Sequence, residues 1–197
     1  GSPVQTKNFE WNTTLTLAHN RNKLINMSND LYETENYLDG GWTEEPTSMV
    51  TQRTYIGDAI GSFYMLKSVG VVESGPQKGL WLIEDPETGE AVPFESGMRN
   101  YDSRFRQYCG SALPKLTMGW SNTLRFYGVD VTMSFSGQFG YKIFNCQRMF
   151  YENLNIGLNR YKSATQPVYG TTLAKSQQPV AVSYYLEDGD YLKLDNF

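Results

Sequence analysis

The side chains that could carry out chemistry in this chain of 197 residues are few. Carboxylates lie next to each other at Glu44 and Glu45, and two residues apart at Asp188 and Asp190. A glycosidase needs two carboxyl groups that face each other across a cleft. Both pairs lie in segments typical of loops or turns, so solvated turns are the favoured interpretation. Glycoside hydrolysis stays a minor alternative, and no catalytic residue is predicted.

Histidine and cysteine offer little more, because the sequence holds one His and two Cys. A structural zinc site needs four ligands, which excludes a Cys/His zinc site built from this chain alone. His19 has no Ser or Cys at a spacing that suggests a nucleophile, so it is interpreted as a structural or surface residue. Neither a metal site nor a cofactor is predicted.

The element that organises the chain is a hairpin from Lys115 to Asn145, and its second arm alternates with a period of two. One face of that arm carries Val129, Val131, Met133, Phe135, Phe139, Tyr141 and Ile143. The other carries Asp130, Thr132, Ser134, Ser136, Gln138 and Lys142. Period two is typical of a β-strand. With a similar first arm and the short turn Tyr127-Gly128, the pattern predicts antiparallel strands near 115–126 and 129–145.

The second arm is longer than the about five or six residues of an ordinary strand. A tilted strand that crosses a bilayer needs roughly nine to eleven residues. The bulky rings Phe139 and Tyr141 lie toward one end of the apolar face, where a membrane interface favours them. A soluble β-sandwich, as in an adhesin or a carbohydrate-binding domain, would also alternate. The period alone leaves both interpretations open.

Two further strands are predicted near 7–20 and 183–197, and two long polar segments separate the strands. These segments, near 29–114 and 146–180, are far longer than ordinary connections. One tiny turn on one side and two large loops on the other are typical of outer-membrane barrels. The pattern therefore favours an all-β fold, an antiparallel transmembrane β-barrel segment of about four long strands. Alone it is incomplete, since open edges are not tolerated in lipid.

Composition supports the strand assignment and excludes some partners. The chain is rich in Tyr, Phe, Trp and Gly, its net charge is −4 and its pI is near 5.1. A general nucleic-acid binder would show a basic footprint, so no nucleic-acid partner is predicted. No run of 18 or more apolar residues predicts a transmembrane helix, and a transmembrane barrel would not show one either.

Four segments together resemble the SusC/RagA family of TonB-dependent outer-membrane transporters. They are N-F-E-W-N-T-T-L-T-L-A-H-N-R-N-K-L (8–24), I-G-S-F-Y-M-L-K-S-V-G-V-V (60–72), the hairpin itself and L-E-D-G-D-Y-L-K-L-D-N (186–196). They occur in the family's order across nearly the whole chain. The family often carries an Asp-x-Asn-x-Asp-Gly run before the hairpin. Residues 99–104 depart from it, so no calcium site is predicted.

The resemblance implies that residues 1–197 are a C-terminal barrel portion of a longer, non-enzymatic importer in the outer membrane of a Gram-negative bacterium. It implies uptake of oligosaccharides or peptides. The implied partners are a SusD-like lipoprotein at the extracellular face, outer-membrane lipid, and TonB acting through a plug region that these residues do not include. Both long loops are then extracellular.

Within this frame, particular residues are predicted to make contacts. Aromatic rings in the loops are candidates to stack on sugars or pack against a partner, the alternative being that they pack the loops together: Trp42, Trp81, Tyr101, Tyr161 and Tyr169. In the hairpin, Val131, Met133 and Phe135 are predicted to face lipid, while Thr132, Ser134 and Ser136 face the lumen.

The two cysteines are candidates for a disulfide on the strength of the register. If Tyr127-Gly128 is a two-residue turn and the ladder is unbroken, Cys109 falls opposite Cys146. Directly opposed residues have Cα atoms about 4.5–5.5 Å apart, within bonding range. Against this, Gly110 and Pro114 lie in the path, and a single bulge would shift the register.

Overall fold

The computed structural model describes residues 1–28, 36–43, 47–100, 103–157 and 159–197. The strands are β1 (Val4–Gln5), β2 (Phe9–Ala18), β3 (Tyr37–Trp42), β4 (Val50–Tyr55), β5 (Ser62–Leu66), β6 (Ser68–Val71), β7 (Trp81–Glu84), β8 (Ala91–Pro93), β9 (Arg106–Ser111), β10 (Leu116–Phe126), β11 (Val129–Phe139), β12 (Lys142–Phe144), β13 (Leu186–Asp188) and β14 (Tyr191–Asn196). The helices are α1 (Cys146–Tyr151) and the short 3₁₀ helices Ser96–Arg99, Lys162–Thr165 and Ser183–Tyr185. Within the described ranges, no helix has the length and apolar character to span a membrane. The sheets are antiparallel, which confirms the predicted all-β class.

The chain divides into two compact units. The first, here called the sheet unit, comprises Gly1–Asn22, Leu113–Lys142 and Asp188–Phe197. It is one sheet of five strands in the order β1-β2-β10-β11-β14. Its three central strands have 10, 11 and 11 residues, long enough for a tilted bilayer crossing. The sheet is open at both edges.

The hairpin at its centre has the predicted register. Phe126 pairs with Val129, and the β10–β11 ladder runs unbroken to Leu116 and Phe139. Tyr127 and Gly128 have φ of 48° and 85°. Positive φ at both central residues is what a type I′ two-residue turn requires, and that turn matches the twist of the strands. The predicted turn and pairing are therefore confirmed.

The second arm is shorter than the alternation suggested. β11 ends at Phe139 instead of continuing to 145, and residues 142–144 form the separate strand β12. Gly140 causes the break: its φ is 75°, and its backbone N–H donates to the Asp190 carboxylate at 2.6 Å instead of to a ladder partner. A left-handed residue cannot continue a strand. The terminal strand is likewise divided into β13 and β14.

The seam between β2 and β10 carries four interlocked side chains, here called the indole quartet: Trp11, Thr13, Trp120 and Asn122. Thr13 and Asn122 are a direct register pair on the otherwise apolar face. Trp11 Nε1 donates to Asn122 Oδ1 at 3.1 Å, and Trp120 Nε1 donates to Thr13 Oγ1 at 2.9 Å. Asn122 is 4 % exposed, whereas every other buried side chain of the described residues lies in the second unit. Each indole thus reaches across to the polar residue of the opposite strand.

We predict that the quartet fixes the register of β2 against β10. No tight turn joins these two strands, and a slip by two residues would leave every side chain on its original face. In the intact protein without its native cysteines, Thr14→Cys with Ser121→Cys should cross-link, since these residues are paired. When Thr13→Val and Asn122→Leu are added, the yield of the disulfide between residues 14 and 121 should fall. A second protein with Thr16→Cys and Ser121→Cys should then form a disulfide between residues 16 and 121.

Substitutions on the polar face of the neighbouring β10–β11 pair serve as the control. Thr123→Ala with Thr132→Ala removes a hydroxyl contact of 3.4 Å but leaves the quartet intact, so the original cross-link should persist. An unchanged yield at 14 and 121 after loss of both Thr13 and Asn122 would show that the quartet does not set the register.

The second unit, here called the insert unit, comprises Lys23–Ala112 and Ile143–Glu187. These stretches contain most of the two predicted loops, yet they are not independent loops. They contain a four-stranded sheet, β3-β4-β5-β9, and a three-stranded sheet, β6-β7-β8. Both stretches contribute to one hydrophobic core: Met49, Leu66, Val71, Trp81, Ile83, Phe94, Met98, Met149, Leu173, Val180, Ala181, Val182 and Tyr185. The two stretches therefore bury apolar residues against each other.

One close backbone approach joins the two stretches of the insert unit. Gly79 has φ of 85° and accepts a hydrogen bond from the Ala174 backbone N–H at 2.8 Å. A Cβ atom at residue 79 would lie 2.5 Å from the Ala174 nitrogen. Glycine is therefore required here both for its conformation and for its lack of a side chain.

Candidate substrate-contact surface

The insert unit contains an open cleft of about 670 Å³ that is suited to a ligand, here called the polar groove. Its lining is Thr47, Ser48, Met49, Ser96, Gly97, Arg99, Asn100 and Ser103. The volume falls in the range of small-molecule sites, roughly 300–1,000 Å³. The described lining residues are rich in hydroxyl groups and include one cationic side chain, Arg99. Sequence reasoning missed the groove, because its two walls are far apart in the chain and individually look like loop segments.

Arg99 holds a fixed position in this groove. Its Nη1 donates to Gln178 Oε1 at 2.6 Å, and its Nη2 donates to the Thr47 carbonyl oxygen at 3.4 Å. Ser48 has φ of 40°, a conformation uncommon for a residue other than glycine. Strained backbone of this kind is concentrated at functional sites. The guanidinium is thus held between parts of the unit that the sequence separates widely.

Tyrosine and arginine side chains alternate on one face of the four-stranded sheet. The rings of Tyr37 and Tyr55 have centroids 5.7 Å apart, and so do those of Tyr55 and Tyr64. Arg53 lies 3.9 Å from the centroid of the Tyr37 ring and makes two hydrogen bonds to Asp39, at 2.6 and 2.8 Å. Burial, followed by a hydrogen bond with Tyr55, raises the pKa of Tyr64. The rings meet edge to face, which suits mutual packing better than a flat platform for a sugar.

The predicted turn from Asp85 to Glu90 is confirmed, since it joins β7 to β8. Asp85 accepts an ion pair from Arg104 at 2.8 Å. This guanidinium, together with the backbone N–H of Glu87, holds the pKa of the Asp85 carboxyl below its usual range. The Asp85 carboxylate and the Arg104 guanidinium thus stabilise the turn, and Asp85 is held in an ion pair.

The predicted contact aromatics have different environments. Trp81 is 0 % exposed and its backbone N–H donates to Gln177 Oε1 at 3.0 Å, so it is a core residue and cannot reach a ligand. Trp42 is 61 % exposed at the end of β3. Tyr161 and Tyr169 are partly exposed but pack against other rings, Tyr161 on Tyr151 and Tyr169 on Trp81. Tyr101 lies outside the described residues.

The predicted lipid-facing residues share one face of the sheet unit with the apolar residues of β10. Val131 pairs with Leu124, Met133 with Asn122 and Phe135 with Trp120. The rings of Phe135 and Trp120 stack at a centroid distance of 5.3 Å. The medium that this face contacts stays a prediction.

Cys109 and Cys146 do not oppose each other, because the ladder on which that pairing depended ends at Leu116. Cys109 lies in β9, which pairs with β5, and Cys146 begins α1. Both are free thiols. Burial raises the pKa of the Cys109 thiol to about 11, so it remains protonated and unreactive near neutral pH.

The remaining candidates for chemistry have structural partners. Asp188 pairs with Lys142 at 2.7 Å, and Asp190 accepts the Gly140 N–H described above. His19 Nδ1 contacts the Lys115 carbonyl oxygen. Glu44 and Glu45 lie outside the described residues. In the part of the chain that the structure describes, no three His, Cys, Asp or Glu residues form a group that could hold a metal ion.

Comparison with known proteins gives three similarities. TonB-dependent receptor P3 of Formosa agariphila is 26 % identical over 207 residues, covering 98 % of this chain and 20 % of the receptor. TonB-dependent receptor P26 of the same organism is 28 % identical over 148 residues, covering 72 % of this chain and 14 % of the receptor. No family model matches. The chain therefore spans a fifth or less of the length of these relatives.

Among solved structures, the RagAB peptide transporter matches with a TM-score of 0.68 at 20 % identity. The match covers 98 % of this chain and 21 % of the transporter chain. At this identity the similarity establishes the fold. Together, the three matches confirm the resemblance to TonB-dependent transporters of the SusC/RagA type.

Proposed function

We propose that this chain forms part of the barrel wall and outer loops of an outer-membrane TonB-dependent nutrient importer. The importer takes up oligosaccharides or peptides with a SusD-like surface lipoprotein, and TonB supplies energy through a plug region outside these residues. The chain contributes binding and gating and catalyses no reaction. The sheet unit is the wall, and the insert unit carries the extracellular surface.

The observation that carries this proposal is the exposed apolar face of the sheet unit. Leu15 and Leu17 are each 56 % exposed and Val129 is 61 % exposed. They share their face with Phe135 and the two indoles, while the opposite face is mainly Thr and Ser. A β-sandwich would cover this apolar face with a second sheet. Lipid outside and water inside account for both faces of these long strands.

The connections indicate the orientation. The sheet unit has its two-residue turn at Tyr127-Gly128, and the short β1–β2 connection lies beside it, since the Tyr127 N–H donates to the Asn8 carbonyl oxygen. The chain leaves the sheet for both inserts from the opposite ends of the strands. Outer-membrane barrels have short periplasmic turns and long extracellular loops. We therefore assign the tight turn to the periplasm and the insert unit, with its polar groove, to the cell surface.

Labelling of single cysteines in the intact protein tests this orientation. The native Cys109 and Cys146 are replaced first. Ser74→Cys lies on an exposed turn of the insert unit, and Lys7→Cys lies next to Asn8, whose carbonyl oxygen accepts the Tyr127 N–H. A membrane-impermeant maleimide should label residue 74 in whole cells and residue 7 only after the outer membrane is permeabilised.

Labelling of residue 7 but not residue 74 in whole cells would contradict the proposed orientation and support the opposite one. Equal labelling of both positions in intact cells would contradict the membrane assignment.

Import is tested in a separate experiment. Cells that express the intact protein should deplete an oligosaccharide or a peptide from the medium only while TonB is functional.

A further inference from the structure

We infer that the polar groove binds the carboxylate-bearing sugar units of an acidic oligosaccharide. This inference rests on the proposed function, since it names the class of substrate that the importer takes. It is carried by the charge of the groove, the position of Arg99 and the nature of the other lining side chains.

The charge of the lining favours an anion. Arg99 is the cation of the groove, and no carboxylate is found among the described residues that line it. The remaining polar groups are hydroxyls and one amide. Among the described lining residues, a carboxylate placed in the groove therefore meets the attractive charge of Arg99, which favours acidic ligands over neutral ones.

Arg99 is positioned to bind such a group with two hydrogen bonds. A guanidinium has five N–H donors in a planar fork. Arg99 uses one donor to Gln178 and one to the Thr47 carbonyl, which fixes the plane of the fork and leaves further donors for a ligand. A carboxylate accepts two parallel N–H bonds, the geometry that makes arginine selective for it.

The other lining groups suit sugar hydroxyls better than peptide side chains. Ser96 and Asn100 make no side-chain hydrogen bond within the described residues, so their polar groups are available to a ligand. Among the lining residues that the structure describes, Met49 is the one large apolar side chain, and it is buried in the core. A bound peptide needs pockets for alternate side chains, and the described lining residues form none of apolar character.

The walls of the groove are rigid enough to hold this arrangement. Met49 anchors one wall in the hydrophobic core at 2 % exposure, and Met98 anchors the 3₁₀ helix of the other wall at 5 %. Arg99 directly follows Met98 in the chain. A preorganised site loses less entropy when it binds its ligand.

Calorimetry on the intact, detergent-purified protein tests the inference with three probes: tetragalacturonate, its neutral analogue galactotetraose and the acidic peptide tetraglutamate. We expect tetragalacturonate to bind about tenfold or more tightly than either comparison ligand, and its affinity to fall with rising salt. The neutral probe reports the contribution of the carboxylates, and the peptide reports the contribution of the sugar.

Substitutions then locate the site. Asn100→Asp preserves shape and places a negative charge in the groove, so we expect it to weaken tetragalacturonate binding about tenfold and leave galactotetraose unaffected. Arg99→Lys keeps the charge and removes the fork, and we expect it to weaken binding less than Arg99→Gln does. The control is Asn159→Asp, an exposed residue of the insert unit outside the groove, which should have no effect.

Equal affinity for the acidic and neutral sugars, no binding of tetragalacturonate, or an Asn100→Asp protein that binds like the control would each overturn the inference. Tighter binding of tetraglutamate than of tetragalacturonate would indicate that the groove prefers an acidic peptide, which would also overturn the inference. These measurements need neither a membrane nor TonB. Failure here with the expected labelling pattern in cells would contradict the ligand and leave the importer proposal intact.

Discussion

Met133→Arg in the intact protein is expected to cause a large loss of outer-membrane assembly. Met133 lies in the middle of β11, on the face that also carries Val131 and Phe135. If that face contacts lipid, a cation at mid-membrane depth costs about 2–4 kcal/mol. The measurement is the amount of heat-modifiable, folded protein in the outer-membrane fraction, compared with the unsubstituted protein.

Ser134→Arg is the matched control, because residue 134 is the next in the strand and points to the opposite face. It pairs with Ser121 on the hydroxyl-rich side. Its arginine should leave assembly intact and at most narrow the lumen. Equal tolerance at the two positions would contradict the assignment of lipid and lumen faces, whereas loss at 134 alone would reverse it.

Trp81→Ala should destabilise the insert unit by about 3–5 kcal/mol, the usual cost of removing a buried aromatic side chain. Trp81 is fully buried, and its ring contacts those of Tyr169, Tyr184 and Tyr185. All three belong to the second stretch of the unit, so the cavity would lie where the two stretches meet. Hydrogen exchange of the intact protein should show faster exchange in both stretches.

Trp42→Ala provides the comparison, because the sequence predicts the same role for both tryptophans and the structure separates them. Trp42 is largely exposed, and substitutions at exposed positions are usually within about 0.5 kcal/mol of neutral. Exchange in the insert unit should then stay close to that of the unsubstituted protein. Similar protection in the Trp81→Ala and Trp42→Ala proteins would be inconsistent with a shared core centred on Trp81.

The sheet unit could be predicted well from the sequence because its determinants are local. Alternation of period two over a long strand sets the face of each residue, and the Tyr127-Gly128 turn sets the register of β10 against β11. The predicted end of β11 was wrong, because a single residue can end a strand without disturbing the alternation of apolar and polar side chains. Gly140 ends β11 although the alternation of side chains continues beyond it.

The insert unit could not be predicted in the same way, because its strands are short and its core is assembled from distant residues. β6, β7 and β8 have four, four and three residues, too few to establish a period. The burial of Trp81 depends on residues of the second stretch, and the residues next to Trp81 in the sequence do not indicate it. An aromatic residue in a loop-like segment therefore suggested surface contact when it forms the core.

The polar groove escaped prediction for a related reason. Thr47 and Ser48 precede one strand, Ser96 to Arg99 form a short helix, and Gln178 lies in the other stretch of the insert unit. Each segment alone looks like ordinary polar loop. Only the burial of Met49 and Met98 turns these segments into two fixed walls, and that burial is a tertiary property.

The shared core has a consequence for how such proteins diversify by recombination. Gly79 needs the Ala174 backbone beside it, and Trp81 needs both Gln177 and the tyrosine rings. A crossover between β10 and β11 would join the first insert of one parent to the second insert of another and expose mismatched core surfaces. A chimera of two relatives should therefore fold when both inserts come from the same parent, and should fail to fold when either insert is transferred alone. The two inserts are therefore expected to recombine as one unit, although the β10–β11 hairpin separates them in the chain.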